Sequence, residues 1–309
     1  MPACPWACPV CRAPLVAVAG ERRLACPESH SYDVARQGYV NLLLAGQRRS
    51  RQPGDSAEMV EARRRFLGSG AYDRIGDTLG HVVSRAALAV HERHPGDVIA
   101  VLDVGCGDGH HTRRVAGNVT GGAPGIDPLD ALVAAIDVSK PAIAQAARAH
   151  PSGWYAVASA AQLPLAPGSV DVAFNVFGPV VVEELARVVR RGGAVVVAHP
   201  GRSHLQELRA LVYAEPRPHE IKDPLRHGLE WFSRTGTVTV TFPIIIDDGD
   251  HLWDLFTMTP YRWHAPPDVR RRLDAEAARP GGFVTEVDVV ISSYARRATL
   301  ESGCDARAH

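Results

Sequence analysis

The chain has no apolar run approaching the roughly 18–20 residues needed to span a bilayer. It has no net charge either: 34 basic residues balance 34 acidic ones. That balance argues against a histone-like polyanion binder, although it leaves room for a local basic face. Residues 1–10 lack the charged segment and apolar segment of a secretory leader, so a cytoplasmic location is expected. Six cysteines in 309 residues make a poor disulfide framework, because three share one short pattern and a fourth, Cys106, lies in a glycine loop. No internal repeat is visible. What remains, 46% apolar and 22% charged residues, is the composition of a soluble globular protein with room for one large domain or two ordinary ones.

The first pattern present is Cys8-x-x-Cys11, a 14-residue gap, and Cys26-x-x-x-His30. Three thiolates and an imidazole at this spacing let two short loops clamp one ion, and a closed set of four ligands signals structural zinc. Cys4 could substitute within Cys4-x-x-x-Cys8, but the tighter pair is preferred; Cys304 lies idle in a polar tail. Residues 1–46 are too few for a core of their own and need the metal to fold as a zinc ribbon. Residues 47–96 then supply a polar, basic linker and two helices. Asp55 or Ser56 caps the first, with Met59, Ala62, Arg63, Phe66 and Leu67 at helical spacing, and the second covers about 72–92. Between residues 36 and 65 seven arginines face three acids. Arg48, Arg49 and Arg51 are candidate phosphate contacts. Arg63, Arg64 and Arg65 read as a solvated helix face.

From residue 98 the period changes. Continuous apolar runs at 98–103, 132–137, 154–158, 170–177 and 194–199 alternate with helical stretches, which predicts a doubly wound α/β domain over residues 97–309. Longer strands at 236–246 and 284–294 suit an antiparallel edge. Residues 117–133 read as an insertion, and the stretch Arg190, Arg191, Gly192, Gly193 as the turn into the fifth strand. The first run ends in Asp103 and enters Gly105, Cys106, Gly107, Asp108 and Gly109. Glycines there permit close backbone approach to a ligand. An acid at the strand end favours a cationic amino-acid group over a pyrophosphate, which points to S-adenosylmethionine. Asp137, ending the second run, is placed for the two ribose hydroxyls. Asp127, flanked by Gly125 and Pro128, is a loop acid of similar look. Asn175 and Phe177 close the fourth strand, where a planar acceptor base could be oriented and stacked.

Taken together these residues resemble a known family. Cys8-Pro-Val-Cys11, Cys26-Pro-x-x-His30, Gly38 to Leu43, Arg49-Ser-Arg51, Pro53 to Met59, Asp137-Val-Ser-Lys140, Pro200-Gly-x-x-His204 and Met258-Thr-Pro260 are similar to the RlmA family. These are zinc-containing guanine-N1 methyltransferases of large-subunit ribosomal RNA. The resemblance implies a zinc ribbon joined to a class I (Rossmann-like) methyltransferase domain. It also implies a 23S rRNA hairpin near the peptide exit tunnel as substrate, and a homodimer. It adds Tyr72, Gly107, Asp108 and His204 as cofactor contacts. The stretch from Asn175 to Pro179 resembles the Gram-positive branch that includes tylosin- and mycinamicin-resistance enzymes, without separating a housekeeping role from a resistance role. Two rival readings stand beside it: a small-molecule methyltransferase and a non-catalytic zinc-ribbon RNA-binding protein.

Overall fold

The computed structural model describes residues 4–47, 54–213 and 219–298. Three short strands, β1 (Val16–Ala17), β2 (Arg23–Ala25) and β3 (Ser31–Asp33), form an antiparallel sheet of their own. The next strand, β4 (Tyr39–Asn41), leaves that sheet and joins the large one as its outermost strand, parallel to β7 (Trp154–Val157). Helices α1 (Ala57–Gly68) and α2 (Asp73–His91) follow. Ser56 caps α1 by accepting a hydrogen bond from the Met59 backbone N–H.

The large sheet takes β5 (Ile99–Val104), β6 (Ala131–Asp137), β8 (Val170–Val176), β9 (Val189–Pro200), β10 (Phe232–Ile246) and β11 (Phe283–Arg296) besides β4 and β7. Its order is β10-β11-β9-β8-β5-β6-β7-β4, parallel from β9 to β4, with β11 antiparallel to both β9 and β10. The chain reverses its winding direction between β5 and β8. A crevice therefore opens at the carboxyl ends of those two strands, where open α/β sheets bind ligands. Helices α3 (His110–Gly121), α4 (Lys140–Ala149) and α5 (Val182–Val188) make the crossovers, while α6 (Gln206–Val212), α7 (Gly249–Thr257) and α8 (Val269–Ala277) pack around the antiparallel end.

Strand periodicity sorts the core onto two faces. Val101, Val172, Phe174 and Val196 join α2 and α3 in one cluster, while Leu102, Ala173, Val195 and Val197 join α5 in the other. The crossover from β7 to β8 (residues 158–169) carries no helix, yet a buried parallel sheet needs cover on both faces. The zinc ribbon supplies it. Trp6, Leu15 and Leu24 pack in the same cluster as Leu163, Leu165 and Leu102. Ala7 N–H donates to the Pro164 carbonyl at 2.8 Å, and Arg12 Nη1 to the Leu163 carbonyl at 3.2 Å.

Two local expectations change. The stretch 117–133 is not all loop, because α3 runs on to Gly121 and β6 begins at Ala131, leaving only a short connection between them. Arg190 to Gly193 is not a turn ahead of β9 but a bulge within it. Val170 pairs with Val189 while Val172 pairs with Ala194, and Gly192 takes φ +78° to let the chain slip register. Among the described residues no helix is long and apolar enough to cross a membrane.

Candidate metal and methyl-transfer sites

Cys8, Cys11, Cys26 and His30 converge as the spacing predicts, with one ligand atom from each all within 4.8 Å of one another. Cys11 and Cys26 sulfurs lie 3.5 Å apart, and Cys26 Sγ lies 3.4 Å from His30 Nδ1. A tetrahedron with metal–sulfur bonds of about 2.3 Å and one metal–nitrogen bond of about 2.0 Å has edges of roughly 3.5–3.8 Å, close to these two separations, and the donor chemistry fits zinc. Each ligand pair sits on a tight knuckle. Arg12 N–H donates to the Cys8 carbonyl and Ser29 N–H to the Cys26 carbonyl, with Arg12 at φ +66° and Ser29 at φ +65°. Burial pushes the Cys8 thiol up, but the Cys11 and Val10 backbone N–H groups and the Tyr32 hydroxyl, 3.2 Å away, outweigh it. The thiol falls to about 6, ready to bind as thiolate. Cys4 is not part of the cluster.

The second site lies at the crevice. Gly105, Gly107 and Gly109 all take positive φ (+83°, +56° and +80°), which carries the chain from β5 into α3. Gly109 is also a contact residue, since a Cβ there would stand 2.8 Å from Ala146 Cβ on α4. Asp103 is buried, with Oδ2 accepting from Thr112 Oγ1 at 2.6 Å, while Oδ1 has no partner among the described residues. Burial pushes its pKa up to about 7, partly opposed by the Thr112 hydroxyl. Tyr72 is likewise buried, and its hydroxyl is unpartnered among the described residues. Two sealed polar atoms without partners among the described residues, one of them on the acid that leads into the glycine loop, suit a cofactor with an amino-acid end. Asp137 accepts from Gly107 N–H at 2.9 Å and from Ser139 N–H at 2.8 Å, so its carboxylate is aimed at the loop. Asp108, the next residue in the loop after Gly107, is buried.

Beyond β8 a pocket of about 240 Å³ is lined by Asn175, Phe177, Pro200, His219 and Lys222, among others. Phe177 is not a core residue: it is 41% exposed, holds φ +56°, and stacks on His204 with ring centroids 5.4 Å apart. Asn175 is buried and already engaged. Its Nδ2 donates to the Val104 carbonyl at 2.5 Å and its Oδ1 accepts from Gly178 N–H at 3.3 Å. The side chain thus ties the ends of β5 and β8 together and shapes the pocket floor. His204 Nδ1 takes a hydrogen bond from Asp288 N–H at 3.2 Å. A backbone N–H can only donate, so in the neutral ring the proton sits on Nε2. Burial pushes the imidazole pKa down to about 3, which keeps it neutral. Tyr72 and His204 rings are 6.3 Å apart, so residues distant in sequence share one wall.

Sequence reasoning missed Arg63. Read as part of a solvated face, it is instead largely buried: it pairs with Asp55 at 2.5 Å, donates to the Met258 carbonyl, and lies where a Cβ on Gly107 would be 3.1 Å away. Arg64, paired with exposed Glu61, and Arg65, half exposed although it reaches buried Asp254 at 2.5 Å, both match the solvated reading. The one available signal was the helical phase of residue 63, which falls on the face of Met59 and Phe66. Ser139 Oγ also donates to the Asp55 carbonyl, so the chain leading into α1 crosses the Asp137 end of the cradle. Asp127 is an exposed loop acid, as expected. Arg48, Arg49, Arg51 and Cys304 lie outside the described residues.

Comparison with known proteins places these features together. Residues 6–51 match the family model described as "RlmA, N-terminal", a zinc ribbon, and residues 101–193 match a "Methyltransferase domain" model. A 23S rRNA (guanine(748)-N(1))-methyltransferase of Streptomyces fradiae is 37% identical over 87% of this chain and 89% of its own length. A protein of Micromonospora griseorubida, provisionally named for the same guanine-N(1) methylation of 23S rRNA, is 38% identical over 88% of this chain and 90% of its own. A similarly named Bacillus subtilis protein is 27% identical over 92% and 95%.

Proposed function

This chain belongs to the family of 23S rRNA (guanine-N1-)-methyltransferases that carry an RlmA-type zinc ribbon, and we propose that it methylates N1 of one guanine in a 23S rRNA hairpin. The observation that carries this reading is the union, in one packed body, of a four-ligand metal ribbon with a glycine-loop cradle that opens beside an aromatic pocket. S-adenosylmethionine, when bound, supplies a methyl group made electrophilic by its sulfonium. Asp103 and Tyr72 would hold its amino-acid end, Asp137 its ribose, and Gly107, Asp108 and His204 the space between. The enzyme's contribution is then alignment, because the reacting carbon is already activated. The target base would leave its loop and stack on Phe177, with Asn175 fixing the pocket floor. Zinc stays structural and far from the chemistry, holding the ribbon against the sheet and helping it grip RNA through Arg48, Arg49 and Arg51. The reading also carries a homodimer and action in the cytoplasm, where ribosomal RNA is modified.

Methyl transfer from labelled cofactor to 23S rRNA transcripts tests it. N1 methylation blocks Watson–Crick pairing, so reverse transcription should stop at a single guanine. Label in a small metabolite, with none in RNA, would replace this reading with the biosynthetic one. RNA binding without any transfer would replace it with the non-catalytic one.

A further inference from the structure

Methylation at guanine N1 forms an N–C bond and must break an N–H bond, so a group in the pocket has to take that proton. Resting on the function proposed above, we infer that His219 is this proton acceptor. In the step, the N1 lone pair takes the methyl carbon, the C–S bond breaks toward sulfur, and the N1 proton passes to the His219 imidazole. The positive charge that leaves the sulfonium ends on the imidazolium, so charge balances.

Geometry selects His219 from the groups that line the pocket. Its ring centroid lies 6.4 Å from that of His204, which itself stacks on Phe177, so it stands on the aromatic wall beside the crevice. Its Nε2 is 3.2 Å from the hydroxyl of Tyr261, a buried side chain on the turn Pro260–His264. In the tautomer that donates Nε2–H to that oxygen, Nδ1 is left as a free lone pair, and no hydrogen bond to Nδ1 occurs among the described residues. The backbone fixes the residue too, since His219 N–H donates to the Arg202 carbonyl. Burial and the Arg209 guanidinium hold the ring below its ordinary pKa, against the opposing pull of Asp288, so it is unprotonated near neutrality. The other groups around it are less suited. His204 is a donor at Nε2 with Nδ1 occupied, Tyr261 is pushed up to about 12 by burial, and Glu220 is exposed and paired with Lys222 at 2.6 Å. His199, across the pocket, donates Nδ1–H to the Pro200 carbonyl and also keeps a free Nε2, but among the described residues no ring contact joins it to the Phe177–His204 wall, so it is the rival acceptor in the test.

The test compares the full-length parent with H219Q and H199Q on a 23S rRNA transcript, measuring kcat, KM and cofactor affinity from pH 5.5 to 9.5. H219Q should lose about 10²–10⁴-fold in kcat at pH 7, the usual range for a lost general base, with KM and cofactor affinity within about threefold of the parent. The loss should shrink as pH rises, because guanine then surrenders its N1 proton to solvent without help. A merely structural role would give a loss that does not vary with pH. H219Q as fast as the parent, a pH-independent loss, or the same pH-dependent loss in H199Q alone each overturns the assignment. A parent that places no methyl on guanine N1 sinks the functional reading instead, and the two failures are distinct.

Discussion

The metal site draws its four ligands from residues 8–30, whereas the crevice draws its walls from residues as far apart as Arg63, Tyr72, Asn175, His204 and Tyr261. In the first, two tight turns and a short antiparallel sheet bring the donors together, so spacing alone contains most of the answer. In the second, each wall is a strand end or a helix start whose position is set by the whole sheet. The ribbon has almost no core of its own and is organised by an ion, while the crevice is held open by packed strands and positive-φ glycines. Yet the two are not independent modules. Trp6, Leu15 and Leu24 share a cluster with the sheet, and β4 extends it.

The largest effect should come from testing that dependence. Cys26→Ala removes a buried ligand and should take zinc from one per chain to none by elemental analysis. Because the ribbon covers the face left bare between β7 and β8, the whole chain should melt earlier, in one transition. We expect a drop of more than about 10 °C, since structural zinc contributes many kcal/mol to folding. Calorimetry that shows a methyltransferase transition unchanged, with only a small separate ribbon transition lost, would break the comparison and make the two regions true modules.

Next in size is Asp103→Asn, which probes the crevice alone. If Asp103 holds the cofactor's ammonium group as proposed, loss of that charged hydrogen bond should weaken S-adenosylmethionine binding about 10–150-fold by calorimetric titration. Stability should respond differently. The folded carboxyl titrates near 7, above the roughly 3.9 of an exposed Asp, so between those values the folded chain keeps a proton the unfolded chain has lost. Stability of the cofactor-free parent should therefore fall as pH rises from about 4 to 7 and level off above. The Asn variant should lack that slope and melt no lower than the parent at pH 8. Equal cofactor affinity in the two would show that the unpartnered Oδ1 faces something other than the cofactor.

How much was legible follows from the same contrast. The ribbon ligands, Asp103 with its glycines, Asp137 and the alternation of strands and helices were all visible, because each is a local pattern that one element imposes. Tyr72 and His204 came only through family resemblance, since neither a helix cap nor a loop histidine announces which wall it will join. Arg63 was misread because three consecutive arginines on a helix look alike until α7 and the glycine loop arrive on one side. The bulge at Arg190–Gly193 was misplaced because two glycines signal a change of direction without saying whether the strand resumes its partner.

Phe177 sharpens the crevice further, at lower cost to the fold. A half-exposed ring at φ +56° contributes little packing, so Phe177→Ala should melt within about 1 kcal/mol of the parent. If a base stacks on it, RNA turnover should fall about 5–150-fold, the range expected for one lost base–aromatic contact, while Phe177→Trp retains activity. Full activity in the Ala variant would mean the acceptor base stacks elsewhere.

The smallest expected effect separates Arg63 from Arg64. Arg64 and Glu61 are exposed partners on α1, and such pairs are worth little, so Arg64→Ala should change stability by no more than about 0.5 kcal/mol and leave cofactor affinity unchanged. Arg63→Ala, one residue earlier, removes the partner of Asp55 and the side chain lying over Gly107, and should loosen the segment that crosses the Asp137 end of the cradle. A several-fold loss of cofactor affinity in Arg63→Ala, absent in Arg64→Ala, is the expected result. If both variants bind cofactor like the parent, α1 is a passive neighbour of the crevice. The site would then begin at Tyr72, leaving residues 54–68 to serve the fold or the RNA.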